Sequence, residues 1–144
     1  MNETIRKFGY PATLVREYAH WVVLLRPAQP TLGSLVLAAK SDATAFGDLD
    51  PAAFTELAEV TGAIETTLKA AVSYERINYL MLMMVDPNVH FHVIPRYEGT
   101  RAFGAISLAD AGWPKPPALG EARALTAAEI GELVEWLKGL WPSA

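Results

Sequence analysis

The stretch Asn88-Val89-His90-Phe91-His92-Val93-Ile94-Pro95-Arg96 decides how this chain is read. Apolar and polar residues alternate along it, which is the period of a half-buried β-strand. Successive strand side chains point to opposite faces, so Asn88, His90 and His92 share one face. Val89, Phe91 and Val93 share the other. This predicts that Phe91 packs against helices while the Asn88 side forms an open pocket. The two imidazoles stand about 6.6 Å apart at their Cα atoms, close enough to touch one phosphate-sized group. A polar row of this kind is also what a plain solvated face looks like. His-x-His is a common metal-ligand pair too, but zinc would want a third ligand, and only His20, Asp86 or acids without recognisable spacing are available. Three readings therefore stand side by side: a wet face, a metal site, and a pair that meets one phosphate-sized group. A His90 sunk in the core with Phe91 exposed would contradict the placement, and any catalytic reading with it.

Outward from this strand, Ile77 to Val85 is apolar apart from Asn78 and reads as a central strand covered on both faces. Asp86-Pro87 makes the connection to the next strand, Val89 to Pro95, which Pro95 ends. Asn78 in the earlier run suggests a satisfied backbone contact or a ligand contact. Asp50-Pro51 is a helix start, with an N-cap acid and proline at the first helical position. Phe54, Leu57, Ile64, Leu68 and Ala71 recur at helical spacing as far as Ser73. Leu14 to Tyr18, Trp21 to Arg26 and Ser34 to Lys40 read as strands, with His20 at a strand end and Pro27, Pro30 and Gly33 breaking the chain between the last two. Arg101 to Arg123 holds three glycines and three prolines and reads as irregular, with Trp113-Pro114 serving packing or closure. Thr126-Ala-Ala-Glu129 is a capping box that opens a final helix through Ile130, Leu133 and Leu137. The sum is an α+β fold: an antiparallel sheet of about five strands, one long helix and a C-terminal helix. A single domain over 1–144 is expected, with a core at 14–96 and an extension at 97–144.

Composition narrows the function. At 144 residues and 51% hydrophobic side chains, the chain can bury a core without disulfides or a structural metal. It has no cysteine, which excludes thiolate sites and a cysteine nucleophile. No apolar signal core opens the sequence, and no apolar run approaches the ~20 residues of a membrane span, so a cytoplasmic protein without a membrane partner is expected. Sixteen acids against 12 bases give a net charge of −4. The largest basic cluster is the pair Arg6-Lys7, which argues against nucleic acid as a partner. A small anionic ligand held by a few specific groups remains.

The wider string Val-His-Phe-His-Val-Ile-Pro-Arg resembles the signature of the histidine triad family, His-φ-His-φ-His-φ-φ with φ apolar and often followed by Pro-Arg. Pro30-Thr-Leu-Gly33-Ser34-Leu-Val-Leu37 followed by Lys40 is similar to the family's Pro-Gly-His-φ-φ-φ strand, and Asp48-Leu49 to its loop before the helix. The likeness runs from about Leu14 to Arg96. It implies that His90 is the covalent nucleophile and that His92 contacts the reacting phosphate and assists the leaving group. Asn88 stands where the first triad histidine is found, and its backbone carbonyl would help fix the tautomer of His90. His92, where the uridylyltransferase branch carries glutamine, leans toward the hydrolase branches.

The resemblance implies a nucleotide hydrolase or nucleotidyl transferase working through a phosphohistidine intermediate, with dinucleoside polyphosphate hydrolysis among the activities it includes. It also implies a homodimer, with no cofactor in the chemical step and magnesium accompanying a polyphosphate substrate at most. Ser34 replaces the histidine after the earlier glycine. The Gly-Gln-rich loop before the triad is cut to Val85-Asp86-Pro87. The acid or amide that holds the ribose hydroxyls aligns with Arg26, whose fork of donors suits an anion instead. Ser34, Arg26, Asn78 and Arg96 make up the expected substrate-contacting set. Two alternatives stay open: a nucleotide-binding module without turnover, and a metal-dependent hydrolase using His90 and His92 as ligands.

Overall fold

The computed structural model describes residues 1–143. A short helix, α1 (Glu3–Lys7), precedes strands β1 (Leu14–Glu17), β2 (Trp21–Leu25), β3 (Ala28–Gln29) and β4 (Leu35–Ala39). The long helix α2 (Pro51–Val72) follows, then β5 (Arg76–Leu80) and β6 (His90–Arg96). The extension holds β7 (Thr100–Phe103), β8 (Ile106–Ala109), β9 (Arg123–Ala124) and α3 (Ala127–Leu140). Five strands form one antiparallel sheet in the order β1-β2-β4-β6-β5. The α+β architecture expected from the sequence is the one observed.

Both long helices begin where their caps lie. Asp50 accepts from Ala52 N at 2.8 Å with Pro51 at the first turn, and Thr126 and Glu129 close a reciprocal capping box. Val60, Ile64, Leu68 and Val72 of α2 recur at four-residue steps and are buried with Leu133, Val134 and Leu137 of α3. They pack on the face of the sheet that presents Trp21, Val23, Leu25, Leu35, Leu37 and Val93.

The opposite face is also covered. Val22, Leu24, Val36 and Ala38 are buried there under Ile5, with Met1, Phe8 and Tyr10 of the N-terminal segment against them. Every residue of β2 and β4 is consequently buried, the pattern of strands sandwiched from both sides.

Three expectations need correction. The run Ile77 to Val85 is not a central strand. β5 ends at Leu80 and forms the edge of the sheet, and Leu82, Met84 and Val85 are exposed in the loop beyond it. Apolar content alone does not tell a covered strand from an edge. Pro95 does not end β6, because it lies past the last β4 partner, Leu35↔Val93, where the ladder asks no donor of it. The region expected to be irregular holds the β7–β8 hairpin, while β9 returns to pair with β3.

Candidate active site

β6 carries the site. Its register against β4 sets Val36 opposite His92 and Ala38 opposite His90, on the face turned away from α2 and α3. The Asn88 carbonyl meets His90 Nδ1 at 2.7 Å. A carbonyl can only accept, so Nδ1 carries the hydrogen and Nε2 keeps its lone pair.

His92 is set the other way. Arg26, just past the end of β2, directs its Nε–H at His92 Nδ1 over 3.3 Å, and a guanidinium can only donate. The neutral ring therefore carries its hydrogen on Nε2. Burial, followed by the charges of Arg26 and His90, pushes His92 down to about 4, against a weaker opposing pull from Asp86. Burial also lowers Arg26 from its ordinary value. The two imidazoles stand 5.1 Å apart at 79°. One presents a lone pair and its neighbour an N–H, the combination that attack on phosphorus calls for.

The pocket expected on this face is closed. The Phe8 ring lies 5.7 Å from that of His90 and 5.6 Å from that of His92. His90 has no exposed surface, His92 is 6% exposed, and His90 Nε2 has no hydrogen-bond partner. Such a buried unpaired nitrogen costs about 1–3 kcal/mol. The alternation of faces itself holds. Phe91 lies on the helix side against Trp21, Phe46 and Tyr79, although only half-buried, since β5 beside it is the sheet edge and Phe46 is itself exposed. What seals His90 is the N-terminal segment and not the core between sheet and helices. A cleft of about 740 Å³ does open elsewhere, along β5, lined by Arg76, Asn78, Tyr79, Trp113 and Lys115.

The expected site residues divide. His90, His92, Arg26 and the Asn88 carbonyl come together. The Asn88 amide turns aside: its Oδ1 accepts from Thr4 Oγ1 at 2.9 Å and Thr4 N at 3.3 Å, while Nδ2 donates to Asp42 O at 3.0 Å. Ser34 is buried in a turn, donating to Thr31 O at 2.8 Å, and does not reach the histidines.

Arg96 and Asn78 also serve structure. Arg96 forks onto Asp110 at 2.7 and 3.1 Å, and donates to Asn78 Oδ1 at 2.9 Å and to Lys115 O at 2.7 Å. The partner observed for Asn78 is neither a backbone group nor a ligand but the Arg96 side chain, and the residue lines the cleft along β5. His20 lies in the β1–β2 turn with its backbone N–H on Glu56. Among the described residues, no three His, Cys, Asp or Glu side chains converge to hold a metal ion.

The residues that sequence reasoning missed are Thr4, Phe8, Asp110 and Gln29. Gln29 is fully buried and ties Arg26 O and Ser34 O to the N–H groups of Gly33 and Ser34, which fixes the chain where Arg26 leaves β2. A signal existed only for the N-terminal pair: Asn2-Glu3 reads as a helix cap, with Ile5 and Phe8 three residues apart.

With this geometry described, comparison with known proteins adds the family. No curated protein matches the chain. Among solved structures, a histidine triad (HIT) protein from Sinorhizobium meliloti superposes with a TM-score of 0.74 at 22% identity, covering 97% of this chain and 95% of that one. A Zn-bound histidine triad family protein from Mycobacterium smegmatis gives 0.62 at 19%, covering 94% and 91%. The diadenosine triphosphate hydrolase of Plasmodium falciparum, in complex with cyclomarin A, gives 0.65 at 10%, covering 90% and 76%. These likenesses establish the fold. A family model described as the HIT domain matches residues 10–99, well over half of the chain. The chain belongs to the HIT domain family.

Proposed function

We propose that this protein is a nucleotide hydrolase or nucleotidyl transferase that works through a covalent intermediate on His90. The observation that carries this reading is the 2.7 Å contact between His90 Nδ1 and the Asn88 carbonyl, which leaves the Nε2 lone pair free for attack. In the first step Nε2 attacks the phosphorus of a nucleoside phosphoester, phosphoanhydride or phosphoramidate. The N–P bond forms, and the bond to the leaving group breaks with its electron pair. The charge gained by the ring is shared through Nδ1–H with the Asn88 carbonyl. His92 Nε2–H steadies the phosphoryl oxygens as charge spreads over them. Water then breaks the N–P bond and frees the nucleoside monophosphate.

Beside the histidines, Arg26 provides donors and no acceptor, which supports a ligand with an additional anionic group over one gripped by its ribose hydroxyls. A diadenosine triphosphate hydrolase among the fold relatives supports a dinucleoside polyphosphate as the first substrate to try. The Zn-bound relative raises the question of a resident metal. The residues here do not fit one: His92 carries its hydrogen on Nε2 because its Nδ1 accepts from Arg26, and among the described residues no third ligand converges with His90.

A second reading, a nucleotide-binding module without turnover, is favoured by the sealed Nε2. Release of AMP from diadenosine triphosphate separates the two. His90→Ala is expected to abolish it, and His92→Ala to slow it about 10²–10³-fold by loss of a stabilising donor. Retention of activity within a few-fold in the His90 variant would contradict the nucleophile. We also infer that residues 1–144 act as one unit, with the extension pinned through Arg96 and Asp110. A cytoplasmic protein is consistent with the lack, among the described residues, of a helix long and apolar enough to cross a membrane. The homodimer implied by the resemblance is supported by β5, whose outer edge is unpaired among the described residues.

A further inference from the structure

The most unusual feature of the site is what covers it. Residues 1–8 lie across the histidine face, and their grip is built from specific bonds. Asn2 caps α1 by accepting from Ile5 N at 2.9 Å, and its Nδ2 donates to Ala39 O and Ser41 O, both at 2.9 Å. Thr4 and Asn88 hold each other: Thr4 Oγ1 and N donate to Asn88 Oδ1, and Asn88 N donates back to Thr4 Oγ1 at 3.2 Å. Lys7 Nζ, at the opposite end of α1 from Asn2, pairs with Asp86 Oδ1 at 2.6 Å. Ile5 seats fully buried against Val22, Leu24, Val36 and Ala38. Phe8 drops over both imidazoles, and the chain turns away at Gly9, whose φ of +94° admits little but glycine.

Two details distinguish a cover that opens from a fixed piece of core. The atom beneath it, His90 Nε2, is left buried with no partner, whereas settled cores pair their polar atoms. The segment also contributes no strand to the sheet: besides the seat of Ile5 it is held by side-chain bonds to Ala39, Ser41, Asn88 and Asp86, so it can lift without breaking the ladder. The position of the first triad histidine is where the main latch is made. A histidine there could not accept two hydrogen bonds from Thr4 on one oxygen while donating to Asp42 O from an amide nitrogen on the same side chain.

We propose that residues 1–8 form a lid that shuts His90 off from solvent and ligand, and that the Asn88 side chain is its latch. The loss of the first triad histidine then serves control of access, while the carbonyl of the same residue still orients the nucleophile. The biological meaning of the lid rests on the phosphoryl-transfer reading of His90, but its existence does not.

The test uses diethyl pyrocarbonate, which acylates accessible neutral imidazole nitrogens, with peptide mass spectrometry to follow each histidine. His20, partly exposed in the β1–β2 turn, is the internal reference. In the wild type, His90 should react at least tenfold more slowly than His20. Thr4→Val and Phe8→Ala should each raise the His90 rate tenfold or more and leave the His20 rate unchanged. Reaction of wild-type His90 at the His20 rate would overturn the lid, and so would protection that persists in both variants. Hydrogen exchange on the wild type covers the case in which a variant fails to fold. Amides of residues 4–8 should exchange at least tenfold faster than those of Leu35–Ala39, whereas equal rates would show one fixed core. A lid that opens in these assays over a protein that never forms a His90 adduct would retain this proposal and remove the catalytic one.

Discussion

His92 is held neutral by its surroundings, and this has consequences that can be measured. Its folded value of about 4 lies below the ordinary value near 6.5 because of burial and the nearby Arg26 and His90, with Asp86 opposing. Between those two values the unfolded chain binds a proton that the folded chain refuses. Stability is therefore full above about pH 6.5 and declines as pH falls toward 4. Thermal melts should show a lower Tm at pH 5 than at pH 7, and His92→Gln should flatten that fall. Identical slopes in the two proteins would show that His92 is not buried as described. Arg26 also fixes the tautomer, so Arg26→Gln should raise the His92 titration midpoint and change its ring ¹⁵N shifts; an unmoved midpoint would deny the contact. The pair His90 and His92 was legible from alternation alone, because a strand's period of two leaves little freedom. Arg26 was legible only through the resemblance, since nothing local tells a strand-end arginine in a site from one in solvent.

At the scale of elements, the caps and periodicities of α2 and α3 specified those helices directly, because each signal lies within one turn of the position it governs. What failed depended on neighbours distant in sequence. β5 has the composition of a buried strand yet lies at the edge. The face carrying His90 was expected to be open because nothing within β6 records that residues 1–8 return across it. The Arg96–Asp110 pair is a further long-range contact, with both side chains nearly inaccessible at 5% and 1% exposure. Arg96, expected at the ligand, lines the cleft along β5 and ties β6 to the extension. Removing one partner of a buried ion pair strands the other charge and costs about 3–5 kcal/mol. Asp110→Ala should accordingly lower the urea-unfolding free energy by roughly 3 kcal/mol. A loss below about 1 kcal/mol, the range of exposed pairs, would show that the extension is held by other means.

For the whole molecule, the sheet separates two jobs: α2 and α3 build the core on one side, and the other side presents two imidazoles of complementary protonation under an N-terminal cover. The edge strand β5, with exposed Leu82, Met84 and Val85 just beyond it, suits assembly with a second copy. Sedimentation equilibrium should give about twice the 15.7 kDa chain mass, and Leu82→Glu should shift it toward the monomer. A monomer throughout the micromolar range would remove the dimer. The account's central claim is that His90 is a nucleophile at phosphorus, and the most direct test is to mix the wild type, Phe8→Ala and His90→Ala with diadenosine triphosphate, quench in base and weigh the tryptic peptides. The account predicts an acid-labile nucleoside monophosphate adduct on His90, more abundant in Phe8→Ala, with AMP released by both proteins and neither adduct nor release in His90→Ala. AMP release that survives undiminished in His90→Ala, or its absence from both proteins that retain His90, would contradict it.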